Sequence, residues 1–236
     1  MKRRISLSLF VIFVLMANQM NGQEILDFSG KTISGFIMVK LSDKLDDLPI
    51  NGSVKIKTEN YKAIQQDLFA WSRMTGNKIV ILENNKQNLT FEVTKIADKI
   101  NKGKSFSIII SDKGLEELLS PLGFSVGAAL SGYQVNIYFQ GPAVKVLKKG
   151  FKEKLKGFNS IFSGFARSGL AKIGHSPAQD KLRVLEKYNA KFYVCQPSME
   201  HFNLKEKDII FSNIVICEYF TFLEVLDKSD IKFFLQ

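Results

Sequence analysis

The chain has 236 residues, 45% hydrophobic and 24% charged, with a formal net charge of +10, a globular composition that excludes a disordered or collagen-like chain. Two cysteines exclude a disulfide framework and two histidines leave few ligands for zinc, so neither a metal nor another cofactor is expected. The length suits one large domain or two small ones, and no internal repeat of solenoid period is present.

The chain begins MKRRISLSLFVIFVLMANQMNG. Lys2, Arg3 and Arg4 precede an apolar run from Ile5 to Ala17. That run is short for a membrane span and suits the core of a signal peptide. Residues 1–22 are therefore read as a signal peptide or anchor, and membrane contact is expected only through residues 5–17 if they are uncleaved. This points to export or organelle targeting.

Residues 23–96 read as one α/β unit. Ile25 to Phe28 form a short strand, Gly30 a turn, and residues 35–45 an amphipathic helix. Pro49, Asn51 and Gly52 mark a turn before SVKIKT, whose Val54 and Ile56 share a face. Asn60 is the expected N-cap of a second helix that runs to Thr75 and stops at Gly76. NKIVILEN and NLTFEVTKI then form two strands. The order is βαβαββ, with both helices on one face, a two-layer sandwich.

ADKINKGK, residues 97–104, reads as a linker. From 105 to 236 strands alternate with longer helices. SFSIIIS is an apolar run of the kind buried on both faces. A helix over 115–130, the strand YQVNIYF, the helix KLRVLEKYN and the strand KFYVC follow. IIFSNIVI, a helix from Tyr219 to Asp227 and IKFFL close the chain. This pattern predicts a three-layer, Rossmann-like parallel sheet, in which chemistry lies beyond the carboxyl ends of the strands.

Cys195 ends KFYVC and so falls at that edge. A helix beginning near Ser198 would place N–H groups and a positive dipole end near its sulfur, whereas a free cysteine is also commonly a packed apolar residue. Cys217 lies 22 residues on, near the same sheet edge, since successive βα units are usually neighbours; it is either a resolving thiol, able to pair with Cys195 in an oxidising compartment, or a small packed side chain. His175, in KIGHSPAQ, and His201 are candidate bases or plain surface histidines. No HExxH, P-loop, GxGxxG or Ser-His-Asp element occurs.

Between Ala143 and Lys191, 12 Lys/Arg face only Glu153, Asp180 and Glu186. The same segment carries Phe151, Phe158, Phe162 and Phe165 among glycines. It reads as a solvated basic face, or as a lid or oligomer contact over the crevice. Nucleic acid is not the expected partner.

The second half resembles the DsrE/DsrF-like sulfur-relay family. The residues that carry this are SFSIIIS, GAALSGYQVNIYFQGPAVKVLKK, FYVCQPSMEHFNLKEKDII and YFTFLEVLDKSDIKFFL. The resemblance implies that Cys195 carries sulfane sulfur as a persulfide, with sulfur-donor and sulfur-acceptor proteins as partners, homo-oligomers, and a cytoplasmic setting at odds with the N-terminus. Residues 25–83 resemble a TusA-type sulfur carrier, but Ile33-Ser34-Gly35-Phe36 stands where that family has Cys-Pro-x-Pro. The first unit therefore has no carrier thiol. The expected function is persulfide relay through Cys195, sulfurtransferase chemistry if catalytic; the alternative is a degenerate binding protein that docks partners on its basic surface.

Overall fold

The computed structural model describes residues 25–96 and 103–235. Residues 1–22 and most of the expected linker lie outside the described residues.

The first sheet holds β1 (Ile25–Asp27), β2 (Ser53–Glu59), β3 (Lys78–Asn84) and β4 (Asn88–Thr94) in the order β1-β2-β4-β3. Only the β1–β2 pairing is parallel. Alternation places Val54 and Ile56 of β2 and Leu89, Phe91 and Val93 of β4 on one buried face. Helices α1 (Ser34–Asp46) and α2 (Lys62–Thr75) cover it with Ile37, Leu41 and Leu45 and with Ile64, Leu68 and Trp71, the spacing of a single helical stripe. Gly76 ends α2 at φ 80, and its N–H reaches the carbonyl of Ser72, a left-handed cap that glycine adopts without a Cβ penalty. The expected Asn60 cap is corrected. Tyr61 is the N-cap and makes no side-chain cap bond, because the Asn60 amide instead donates to the carbonyl of Asn85 at 2.6 Å and to Asn84 Oδ1.

The second sheet is wholly parallel: β5 (Ser105–Ile110), β6 (Gln134–Phe139), β7 (Lys191–Cys195), β8 (Ile214–Cys217) and β9 (Ile231–Leu235), in the order β8-β7-β6-β5-β9. The chain lays β6, β7 and β8 on one side of β5 and crosses to the other side for β9. One face carries Ile108, Ile137, Phe139, Phe192 and Val194 under α3 (Leu115–Leu130) and α5 (Ala178–Lys187). The opposite face carries Tyr138, Tyr193 and Cys195 under α7 (Tyr219–Asp227), which contributes Phe222. The strands are buried on both sides because helices lie on both sides; on the α7 side Ser107 and Asn136 are buried and hydrogen-bonded to each other. The chain is thus a two-layer βαβαββ unit followed by a three-layer parallel α/β unit.

The two sheets are linked through their helices. Thr32 and Ile33 at the start of α1 both donate their N–H to the carbonyl of Ile173, which follows α4 (Ser163–Lys172). Lys187 pairs with Asp43 at 2.7 Å, and the Tyr188 hydroxyl donates to Asp46. Among the described residues no helix is long and apolar enough to cross a membrane.

Candidate functional site

The carboxyl ends of the parallel strands are tied together by side chains. Gln140, just past β6, donates its amide to the Ser111 hydroxyl just past β5 at 2.9 Å. Ser198, just past β7, accepts the N–H of Gly141 at 2.8 Å. Cys195 therefore sits at a fixed edge.

Cys195 is the last residue of β7 and also the N-cap of α6 (Gln196–His201), at φ −65 and ψ 113. The helix begins at Gln196, directly after the cysteine and earlier than expected, with Pro197 in its first turn. It is only 6 residues long, which limits its dipole. The side chain of Cys195 points to the α7 face and is 2% exposed, so it is far more covered than a reactive thiol requires.

Cys195 and Cys217 are register partners across the β7–β8 pairing. Adjacent strands run about 4.8 Å apart, inside the Cα separation that a disulfide tolerates. Both are free thiols, with Cys217 half-buried. Burial pushes the Cys217 thiol up, its neighbour Cys195 adds to this, and a backbone hydrogen bond with Val194 opposes it. Cys217 therefore stays protonated at neutral pH.

Tyr138 completes the cluster and was not singled out from the sequence. Its ring stacks on Phe222 with centroids 4.9 Å apart. Its hydroxyl is buried without a geometrically normal hydrogen bond among the described residues. Burial raises the phenol first, and the Cys195 thiol beside it raises it further, with smaller contributions from Cys217 and Tyr219. The hydroxyl thus remains an O–H donor facing sulfur. In YQVNIYF, Gln134, Asn136 and Tyr138 share one face and Val135, Ile137 and Phe139 the other, so Tyr138 reads as part of a polar side, and the pattern does not reveal that this side is covered beside Cys195.

Other expected neighbours lie elsewhere. His175 lines a cleft between α1, α2 and α3, on the sheet face opposite Cys195, and cannot serve as its base. Its backbone N–H donates to Leu170, which pins a stretch that reads as flexible. His201 is exposed at the end of α6 and packs edge-on against Phe202 at 4.7 Å.

Burial, and secondarily the charge of Lys181, holds His175 down at about 4 against an ordinary 6.5. The unfolded chain then binds more protons between those values, so this contribution to stability is present above about 6.5 and is lost as pH falls through 4. Denaturant titrations of wild type and His175→Gln should show a rise across that window in the wild type alone. The ring is partly exposed, so solvent screening reduces the effect to about 1 kcal/mol.

Much of the basic segment is engaged within the molecule. Lys156 bridges Asp112 and Glu117 at 2.9 and 2.8 Å, Arg183 meets Asp180, and Arg167 donates to the Glu153 carbonyl. The segment runs along the α3 side and reaches the connection between β1 and α1 through the carbonyls of Lys172 and Ile173. None of its residues joins the cluster around Cys195. Phe158 and Phe165 stay exposed. The described residues contain no cluster of His, Cys, Asp or Glu able to hold a metal.

Comparison with known proteins gives one family. A model of the DsrE/DsrF-like family matches residues 84–233, a stretch that includes β5 through the Cys195–Cys217 edge. Among solved structures the chain is similar to the YchN protein from E. coli, with 11% identity over 56% of this chain and 99% of that one, at a TM-score of 0.39. No curated protein matches.

Proposed function

Because the chain belongs to the DsrE/DsrF-like family, whose members generally act in sulfur relay, we propose that Cys195 carries sulfane sulfur as a persulfide and passes it to a partner thiol. The observation that carries this reading is the pairing of Cys195 with an orphaned buried hydroxyl, that of Tyr138. An unsatisfied buried O–H is costly, and a terminal persulfide anion on Cys195 is an acceptor that would satisfy it. In loading, the Cys195 thiolate attacks the outer sulfur of a donor persulfide. The S–S bond of the donor breaks, the donor sulfur leaves as a thiolate and takes up the proton of the new, more acidic persulfide, and Cys195–S–S⁻ remains. In unloading, a partner thiolate attacks that outer sulfur and Cys195 leaves as a thiolate.

Cys217 offers a second fate. Its thiol gives its proton to the terminal sulfur of Cys195–S–S⁻ and, as a thiolate, attacks the inner sulfur; the persulfide S–S bond breaks, hydrosulfide leaves and the Cys195–Cys217 disulfide forms. The register pairing of the two residues supports this role.

Tyr138→Phe tests the role assigned to the hydroxyl through two readouts of opposite sign. Removing a buried, unpaired O–H should raise stability by about 1 kcal/mol. The same change should shorten the life of the loaded persulfide about tenfold, since a hydrogen bond to a charged group is lost. A persulfide of unchanged lifetime would remove Tyr138 from the mechanism.

The first unit is TusA-like by resemblance alone. With Ile33 in place of a thiol, it acts as a docking module in this proposal. The division at residues 97–104, between units spanning 23–96 and 105–236, belongs to the same reading; the family match begins earlier, at 84. Oligomer formation is supported by Tyr219, Phe220, Leu223 and Phe234, which leave an apolar surface exposed on the Cys195 side of the sheet. The near-complete burial of Cys195 favours a second reading, a binding protein in which both units are chemically silent.

A further inference from the structure

We propose that the cleft between the two units binds a small molecule with an apolar body and a carboxylate head, the head held at Lys181. The cleft has a volume of about 900 Å³, within the range of small-molecule sites. It lies on the opposite sheet face from Cys195 and does not depend on the sulfur-relay reading.

The body of the site is apolar. Phe36 and Val39 of α1, Trp71 and Met74 of α2, Phe124 of α3 and Phe233 of β9 line it. Its floor is kept open by Gly123 and Gly127, one turn apart on α3, where an added Cβ would meet nothing within 4 Å. Two glycines inside a helix weaken it, and here they leave a trough along its outer side.

The charged groups select the head. Besides the phenol of Tyr133, six side chains that carry or can gain charge line the cleft: Lys40, Asp43, Asp67, His175, Asp180 and Lys181. Each carboxylate already has a partner: Asp43 holds Lys187, Asp67 accepts the Ser34 hydroxyl, and Asp180 holds Arg183. Lys40 is exposed, and His175 is neutral at pH 7. Lys181 is different. It is partly buried and makes no ion pair among the described residues, and Glu153 attracts it only from beyond contact. Burial without a counterion holds its ammonium down at about 8. A ligand carboxylate would supply the missing charge. The indole of Trp71, 5% exposed, is part of the same wall.

Ile33, Ser34, Gly35 and Phe36, the positions where a TusA-type carrier would present its thiol, also line this cleft. That edge of the first unit faces the cleft wall instead of a sulfur partner.

Trp71 is the only tryptophan in the chain, so its emission reports directly on the cleft. Titration with decanoate below its micelle concentration should change that emission saturably. Lys181→Met should weaken decanoate binding at least tenfold, while decanol binding stays as it is in wild type; Lys181→Arg should restore decanoate. Gly127→Leu fills the trough with a better helix former and should abolish binding of both probes, which keeps the test decisive if Lys181→Met folds poorly. No saturable change with decanoate overturns the proposal. So does equal decanoate affinity in Lys181→Met, or decyltrimethylammonium binding as tightly as decanoate.

Discussion

Incubated with a persulfide donor, the folded wild-type chain should gain about 32 Da on Cys195, one sulfur atom removable by dithiothreitol, and Cys195→Ser should gain nothing. The expected effect is complete loss, because the Cys217 thiol is held in the protonated form, only the thiolate attacks, and without a persulfide on Cys195 no neighbouring anion takes its proton. Cys217→Ser should load normally and hold its sulfur longer, since the route to the Cys195–Cys217 disulfide is gone. Mass spectrometry of tryptic peptides separates these outcomes. An adduct on Cys217 in Cys195→Ser would reassign the carrier. No adduct on either cysteine, with biological activity intact in Cys195→Ser, would leave the binding-protein reading standing.

The edge that holds these cysteines was partly legible in the sequence. KFYVC and IIFSNIVI are short apolar runs between helical stretches, which places them in a parallel sheet and puts Cys195 at a carboxyl end. Their register was not legible. Strand pairing that sets Cys217 opposite Cys195 depends on the lengths of the connections and on packing under α7, neither of which a single strand records. The face of each side chain was equally hidden, because an apolar run buried on both sides has no period-2 pattern. Tyr138 was missed for a different reason: β6 does alternate, and Gln134 and Asn136 mark its face as the polar one, although Asn136 is buried there. In the first sheet, Val54 and Ile56 alternate with lysines, one face is solvated, and the buried side could be read directly.

Polar residues misled where a distant partner overrode a local preference. Asn60 has the chemistry of an N-cap, yet its amide is taken by Asn84 and Asn85 of the β3–β4 turn. His175 sits in a Gly- and Pro-bounded stretch that reads as mobile, but the chain there is fastened by the carbonyl of Ile173 to the start of α1. Contacts between residues more than 100 positions apart leave no local signature. The cleft belongs to the same class: its walls come from both units, and only their docking creates it.

Phe222→Ala should destabilise the chain by about 3 kcal/mol and, at the same time, make Cys195 accessible to alkylation. Phe222 is 2% exposed and is the residue of α7 that packs over both tyrosines, stacked on Tyr138 and tilted on Tyr193 with centroids 5.1 Å apart. The face opposite carries two longer helices, α3 and α5, whereas α7 has 9 residues and exposes Tyr219, Phe220 and Leu223. Cover over Cys195 therefore rests on one short helix with few buried contacts, the kind of element that opens locally at low cost. A relay thiol that is closed at rest needs such an opening to meet a donor, and a partner binding the exposed side of α7 could drive it. The measurement is the rate of Cys195 modification by iodoacetamide in wild type and Phe222→Ala at a denaturant concentration where both remain folded. A rise in the variant identifies α7 as the cover. An unchanged rate in a destabilised but folded variant would place the route to the sulfur elsewhere, at the carboxyl edge between β7 and β8.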